Sequence, residues 1–237
     1  MARRLLGGVF LVAVLLAGGC GRSGGGGASP TPSRVQPVAD CVTEDEQRTG
    51  GVRLDVGDKH ADGVVVGKGD TGIVFANQAG ETLCSWKPWA DTLGQKGYQG
   101  LVFEYSGDSA DKDVLAAVEA LRKKGAKKVF LIGASRGGTA VLAAAAKAQP
   151  PVAGVISLSG PQVYQGVDAF GAAQKLTVPV LFVAAKDDGQ FGRDAQALYD
   201  ACTSKDKKLD LEIGGDHGMS LLDEKISKMV ETFLKDH

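Results

Sequence analysis

The sequence has little of what marks metal-binding, nucleic-acid-binding and membrane-spanning proteins. It contains three histidines and four cysteines in 237 residues and no Cys-x-x-Cys pair, so a structural zinc site is not expected. The 27 basic residues nearly balance the 28 acidic ones, which leaves no basic surface for a nucleic acid. The apolar run from Leu5 to Ala17 is shorter than the roughly 18 residues of a membrane span. We therefore expect no metal and no nucleic-acid partner.

The first twenty residues have the composition of an export signal. Arg3 and Arg4 precede the apolar run, and Gly18-Gly19-Cys20 follows it. Basic, then apolar, then small residues are typical of a signal peptide. Because it ends on a cysteine, residues 1–20 resemble a bacterial lipoprotein signal, which implies that Cys20 carries the lipid. An ordinary secretory signal with an incidental cysteine is the alternative.

Residues 21–40 are predicted to be a flexible linker. They hold a run of four glycines and Pro30, Pro32 and Pro37, with few apolar residues to build a core. The folded domain is then expected over residues 41–237, a length that buries one core. The sequence thus predicts a domain exported across a bacterial cell membrane and tethered to its outer face by a lipid anchor.

Three cysteines remain beyond Cys20. An exported location permits disulfides, but an odd number leaves at least one thiol free, here among Cys41, Cys84 and Cys202. A Cys41–Cys84 bridge is the candidate pairing, because it would fasten the start of the domain to its first predicted helix.

From residue 51 onward, strand patterns alternate with helix patterns. Alternating or continuous apolar runs predict eight strands, at residues 52–56, 63–67, 72–76, 101–103, 129–132, 152–158, 178–184 and 209–213. Helices are predicted at residues 83–93, between 109 and 125, at 139–148, within 161–175, and at 193–202 and 220–234. This order indicates an α/β fold with a mostly parallel central sheet and helices on both faces.

The turn after the fifth predicted strand carries the most informative motif. Gly133-Ala134-Ser135-Arg136-Gly137 is a G-x-S-x-G pattern between a strand and a helix. Such a sharp turn needs small residues on both sides of the serine, and it exposes the hydroxyl at the carboxyl edge of the sheet. A glycine-rich turn whose Ser135 only caps the helix is the alternative. The strand-turn-helix setting favours a nucleophile.

A serine nucleophile needs a base and an acid that orients the base. Among the three histidines, His237 is terminal and His60 lies in a polar turn near the first hairpin. His217 follows the last predicted strand, so its loop leaves the same sheet edge as Ser135. Asp187 and Asp188 follow the preceding strand at that edge, and from position alone either carboxylate can orient His217.

With these residues in place, the chain over about residues 50–236 resembles the α/β-hydrolase superfamily, and in it the small, lidless esterase-like and dienelactone-hydrolase-like group. The family pattern at the acid is matched by Pro179-Val180-Leu181, with Asp188 in the acid position, so the resemblance favours Asp188 over Asp187. Dienelactone hydrolases use cysteine as nucleophile, and Ser135 stands in that position, which argues against that named activity.

The resemblance also implies an oxyanion hole and an open cleft. The backbone N–H of Arg136 is one expected donor, and that of Ala79, or alternatively Gln78, is the other. Asn77-Gln78 occupies the place of the family's common His-Gly pair. Only about twenty residues separate the sixth and seventh predicted strands, which leaves no room for a cap domain.

These features predict a serine hydrolase that cleaves a small carboxylic ester through an acyl-enzyme on Ser135, without a metal or an organic cofactor. Two alternatives remain open at this point. The domain is a catalytically silent binding lipoprotein on the same fold, or it is a thioesterase or peptidase that uses the same triad.

Overall fold

An eight-stranded sheet organises the described part of the chain, residues 36–107 and 109–237 of a computed structural model. Its strands are β1 Gly51–Val56, β2 Lys59–Gly67, β3 Thr71–Ala76, β4 Tyr98–Phe103, β5 Lys128–Ala134, β6 Gly154–Leu158, β9 Val180–Ala185 and β10 Lys207–Glu212. A separate two-stranded hairpin consists of β7 Val163–Tyr164 and β8 Val167–Asp168.

The strands pair in the order β1-β2-β4-β3-β5-β6-β9-β10. Only the β1–β2 and β2–β4 pairs of this sheet are antiparallel, so the sheet is mostly parallel, as predicted. Central strands such as β3 and β5 are almost continuously apolar because helices cover both of their faces. The parallel strands end at one edge of the sheet, where Ala76 lies opposite Gly133 and Glu212 opposite Ala185.

Seven helices of the described residues cover the sheet. They are α1 Glu44–Gly50, α2 Lys87–Gln95, α3 Ala110–Lys123, α4 Arg136–Ala145, α5 Ala169–Ala173, α6 Phe191–Ala201 and α7 Glu224–Asp236. The sheet separates two large buried clusters. One contains the apolar sides of α3 and α4, and the other contains those of α2 and α7. The four helices α2, α3, α4 and α7 thus bury their apolar sides against one or the other face of the sheet.

Helix α1 is an element that sequence analysis did not predict. Its start is a capping box, in which the Thr43 hydroxyl accepts from the backbone N–H of Glu46 and the Glu46 carboxylate accepts from that of Thr43. Glu46 also binds the ammonium of Lys87, at 2.7 Å, and Lys87 is the buried first residue of α2. The short helix is therefore held by contacts distant in sequence.

The region between β6 and β9 also differs in detail from the prediction. The short helix predicted within residues 161–175 is the five-residue α5, and the β7–β8 hairpin, which was not predicted, precedes it. Asp168 caps α5 by accepting from the backbone N–H of Gly171. The described residues contain no separate cap domain, in agreement with the expectation of an open cleft.

A disulfide fastens the start of the domain to the turn that precedes α2. Cys41 and Cys84 are bonded, and Cys84 lies in the 3₁₀ turn Leu83–Ser85 that precedes α2. Val38 and Ala39 already pack against the core, so the packed domain includes residues that sequence analysis assigned to the linker. Cys202, the remaining cysteine of the described part, is buried with a free thiol.

We expect the disulfide to contribute strongly to stability, because it closes a loop of 43 residues in the unfolded chain. A Cys41→Ser/Cys84→Ser variant of the domain should lose about 2–4 kcal/mol of unfolding free energy. Urea unfolding with and without reductant measures this. Reductant should lower the wild-type midpoint toward that of the variant and leave the variant unchanged; a wild-type midpoint insensitive to reductant would contradict the expectation.

Candidate active site

Ser135 occupies a strained turn between β5 and α4. Its φ of 50° and ψ of −114° lie in a region that non-glycine residues rarely adopt. The turn is sharp enough that a side chain on either flanking glycine would meet the backbone. A Cβ added at Gly133 would lie 2.2 Å from the carbonyl oxygen of Gly137, and one added at Gly137 would lie 2.1 Å from that of Ala76. This is why the motif needs glycine at both positions.

The backbone of Ser135 is fully engaged while its hydroxyl is not. The N–H donates to the carbonyl of Leu158, at 2.8 Å, and the carbonyl accepts from Thr139, at 3.1 Å. The side chain makes no hydrogen bond within residues 36–107 and 109–237, and the residue is 8% exposed. The turn therefore presents a hydroxyl that is held in place by its backbone alone.

His217 and Asp188 form a close pair at the same edge. The distance between His217 Nδ1 and Asp188 Oδ2 is 2.7 Å. Asp188 is mostly buried at the end of β9, while a third of the His217 side chain is exposed. The Phe191 ring packs against the imidazole at a centroid distance of 4.3 Å. A carboxylate on Nδ1 fixes the ring and leaves Nε2 as the nitrogen that can take a proton.

The His217 loop lies beside the Ser135 turn. A Cβ added at Gly218, the residue after His217, would lie 3.5 Å from Cβ of Ala134, the residue before Ser135. No hydrogen bond joins Ser135 to His217 in the described residues. Catalytic hydrogen bonds are often long before substrate binds, so the proximity of the two segments is the relevant observation.

The other candidates for base and acid lie outside this pair. Asp187 is exposed, and its backbone N–H donates to the carbonyl of Gly214. His60 lies on β2 with its imidazole 3.9 Å from Asp62, and His237 packs on Phe233 near Asp206. Cys20 lies outside the described residues.

The loop after β3, residues 77–82 and here called the β3 loop, contacts the Ser135 turn. Asn77 is fully buried, its side-chain amide donates to the carbonyl of Phe103, at 2.9 Å, and its own carbonyl accepts from the Tyr105 hydroxyl, at 2.9 Å. Gln78 is partly buried and Ala79 exposed. A Cβ added at Gly137 would lie 2.9 Å from the backbone oxygen of Asn77, so the β3 loop lies against the first turn of α4, which begins at Arg136.

The Arg136 side chain lies along the end of β4. Its guanidinium stands 4.0 Å from the centre of the Tyr105 ring and donates to the carbonyl of Gly107. Burial raises the pKa of the Tyr105 hydroxyl, and the charge of Arg136 opposes this only in part. Tyr105 therefore stays a neutral donor to Asn77 and supports Arg136 with its ring.

Asp113, on α3, is a buried carboxyl that sequence analysis did not single out. One oxygen accepts from the N–H and the hydroxyl of Ser106, and the other is buried without a partner in the described residues. Burial raises the pKa of Asp113 above its usual range and outweighs the lowering by Ser106 and by the charge of Arg136. An aspartate on an amphipathic helix gives no sequence signal of such burial.

Within the described residues, no cluster of His, Cys, Asp and Glu is arranged to hold a metal ion. The same residues contain no helix with the length and apolar character of a membrane span.

A protein-family model described as alpha/beta hydrolase fold matches residues 84–207. Among solved structures, a dienelactone hydrolase from Anabaena variabilis is similar with a TM-score of 0.66 and 20% identity, over 79% of this chain and 96% of that one. An esterase from Pyrococcus furiosus gives a TM-score of 0.68 at 14% identity, over 78% and 89% of the two chains.

A monoacylglycerol lipase from Paleococcus ferrophilus gives a TM-score of 0.61 at 14% identity, over 74% of this chain and 98% of that one. A search of curated protein sequences gives no match. Identities at this level establish a shared fold and leave the reaction to be argued from the site itself.

We expect Asp113→Asn to change how stability depends on pH. The folded-state pKa of Asp113 is raised from 3.8, so between that value and the raised pKa the folded chain binds more protons than the unfolded chain. Wild-type unfolding free energy therefore falls as pH rises through this window, and D113N lacks that fall. The unfolding free energy of D113N should therefore rise relative to that of the wild type as pH rises through the window. Above the window, the difference between the two should be constant.

Urea unfolding from about pH 4 to pH 8 measures this difference. Asp55→Asn, at an exposed aspartate of β1, is the matched control and should stay close to the wild type throughout. A D113N difference that does not vary with pH would contradict the assignment.

Proposed function

Because this chain belongs to the α/β-hydrolase family, we propose that it is a serine hydrolase whose triad is Ser135, His217 and Asp188. The observation that carries the proposal is the 2.7 Å pair of His217 and Asp188, which lies beside the strained turn that holds Ser135. Geometry therefore favours Asp188 over Asp187 as the acid.

In the proposed reaction, Ser135 Oγ attacks the carbonyl carbon of an ester while His217 Nε2 takes the hydroxyl proton. Asp188 holds the imidazole and stabilises its charged form. The carbonyl oxygen gains negative charge, and in this proposal the N–H groups of Arg136 and of Ala79 or Gln78 bind it. His217 then protonates the leaving alcohol, and water, activated by His217, releases the acid from Ser135.

The proposed substrate is a small carboxylic ester. The described residues contain no cap domain that would cover the proposed cleft. The solved structures of similar fold include an esterase, a lipase and a dienelactone hydrolase. A thioesterase or peptidase would use the same residues. Substrate panels separate these reactions, since the triad itself does not.

Labelling with a fluorophosphonate tests the triad. The wild-type domain should gain one adduct on Ser135, seen by mass spectrometry, and Ser135→Ala should gain none because the attacked oxygen is missing. Asp188→Asn should lower turnover of p-nitrophenyl acetate by about 10³- to 10⁴-fold, because the imidazole loses its orienting carboxylate. Asp187→Asn is the matched control and should stay within about threefold of the wild type.

The outcomes separate the competing functions. A folded wild-type domain that gains no adduct would overturn the proposal and leave a binding protein on a hydrolase fold. An equal loss in D187N and D188N would overturn the choice of Asp188.

We further propose that the protein is exported and lipidated on Cys20, on the strength of the signal-like sequence Arg3 to Cys20. The full chain, expressed in a bacterium fed labelled palmitate, should carry the label and sediment with membranes. Cys20→Ser should carry none and lose the membrane association, because one cysteine provides the lipid attachment. Labelling of C20S equal to that of the wild type would contradict the proposal.

A further inference from the structure

The two backbone N–H groups that follow His217 are each held by a side chain from a different part of the sheet edge. Gly218 N–H donates to the hydroxyl of Ser159, at 3.1 Å. Met219 N–H donates to the side-chain oxygen of Gln78, at 3.1 Å. Ser159 follows β6, and Gln78 belongs to the β3 loop. The segment that carries the proposed base is thus joined directly to the segment that carries a proposed oxyanion donor.

The side-chain oxygen of Gln78 packs tightly against Gly218. A Cβ added at Gly218 would lie 2.3 Å from the side-chain oxygen of Gln78, and the φ of Gly218 is +58°. A larger residue at 218 would displace Gln78 and strain the backbone. The amide oxygen of Gln78 therefore packs against the start of the 3₁₀ turn Gly218–Leu221, where it accepts from the N–H of Met219.

The β3 loop is held firmly at the residue that precedes Gln78. Asn77, the residue before Gln78, is fully buried and is held by Phe103 through its side chain and by Tyr105 through its carbonyl. The carbonyl of Asn77 and the N–H of Gln78 belong to one planar trans peptide. The hydroxyl of Tyr105 therefore sets the direction of that N–H as well. Gln78 extends its side chain from a backbone that cannot turn freely.

We propose that Gln78 is a positioning residue that couples the β3 loop to the histidine segment, residues 213–222. The catalytic part of this inference rests on the proposed hydrolase function. Proton transfer by His217 and binding of the oxyanion must occur in one transition state, so the base and the donor need a fixed separation. The Gln78–Met219 hydrogen bond fixes it without touching the substrate.

Hydrogen–deuterium exchange tests the link independently of any activity. In Gln78→Met, a side chain of similar length with no acceptor for this N–H, peptides from the histidine segment and the β3 loop should both exchange about fivefold faster. Gln78→Glu keeps an acceptor oxygen at the same reach and should exchange like the wild type. Gln95→Met, on the exposed face of α2, is the matched control and should change neither peptide.

Ser159→Ala distinguishes coupling from simple loosening. It removes the other anchor of the histidine segment and leaves Gln78 in place, so exchange should rise in the histidine segment and stay unchanged in the β3 loop. If Q78M exchanges like the wild type in both segments, or if Q78E exchanges as fast as Q78M, the link is overturned.

Kinetics test the positioning role. With p-nitrophenyl acetate, Q78M should lower kcat about tenfold or more and leave KM within about twofold, because the interaction supports the transition state rather than ester binding. If Gln78 had a purely structural role, Q78M would have a lower unfolding midpoint. We instead expect the midpoint of Q78M to lie close to that of Q95M. Should Q78M fail to fold, Gln78→Ala serves the same comparison.

The two proposals fail in different ways. A wild-type domain without hydrolytic activity overturns the hydrolase function, while exchange still decides whether Gln78 couples the two segments. Faster exchange in Q78M with an unchanged kcat overturns the positioning role and leaves the function intact.

Discussion

The close approach of the Ser135 turn to the end of β3 is the contact on which the site depends. With hydrogen in place of Cβ at Gly137, α4 can begin directly against the carbonyl of Ala76. This brings the first turn of α4 next to the β3 loop and holds Ser135 at the end of β5. In the register of β3 and β5, Ala76 lies opposite Gly133, so the β3 loop and the Ser135 turn begin at the same level of the sheet edge. A chain with larger residues at the turn would keep the sheet and lose this arrangement.

Much of this was accessible from the sequence because the signals are local. Apolar runs in a mostly parallel sheet are continuous, so the eight strands could be predicted with errors of a few residues at their ends. The glycines around Ser135 predict the turn, and the position of His217 after the last strand makes it the candidate base. The pairing of Cys41 with Cys84 was a candidate from position, and the structure has that bond.

What the sequence could not predict depends on partners distant along the chain. Helix α1 is supported by Lys87, 41 residues after Glu46, and the Gln78–Met219 contact spans 141 residues. Three polar atoms are buried without a partner in the described residues, on Asn77, Asp113 and Arg136. Such atoms are costly in a folded protein, and their presence around one edge sets this region apart from the rest of the core. No periodicity or spacing reveals them.

The Cys41–Cys84 bond also determines how a mechanical load would travel through the domain. Tension on the chain ahead of Cys41 passes through the sulfur atoms to Cys84 and on into α2, because a covalent bond is the stiffest route available. Everything between the two cysteines is bypassed, including α1, β1, β2, β3 and the loop with Asn77 and Gln78. When a domain is pulled from its N-terminus, the closed loop that includes half of the proposed oxyanion hole therefore cannot be extended while the bond is intact, and only the chain from Cys84 onward can lengthen.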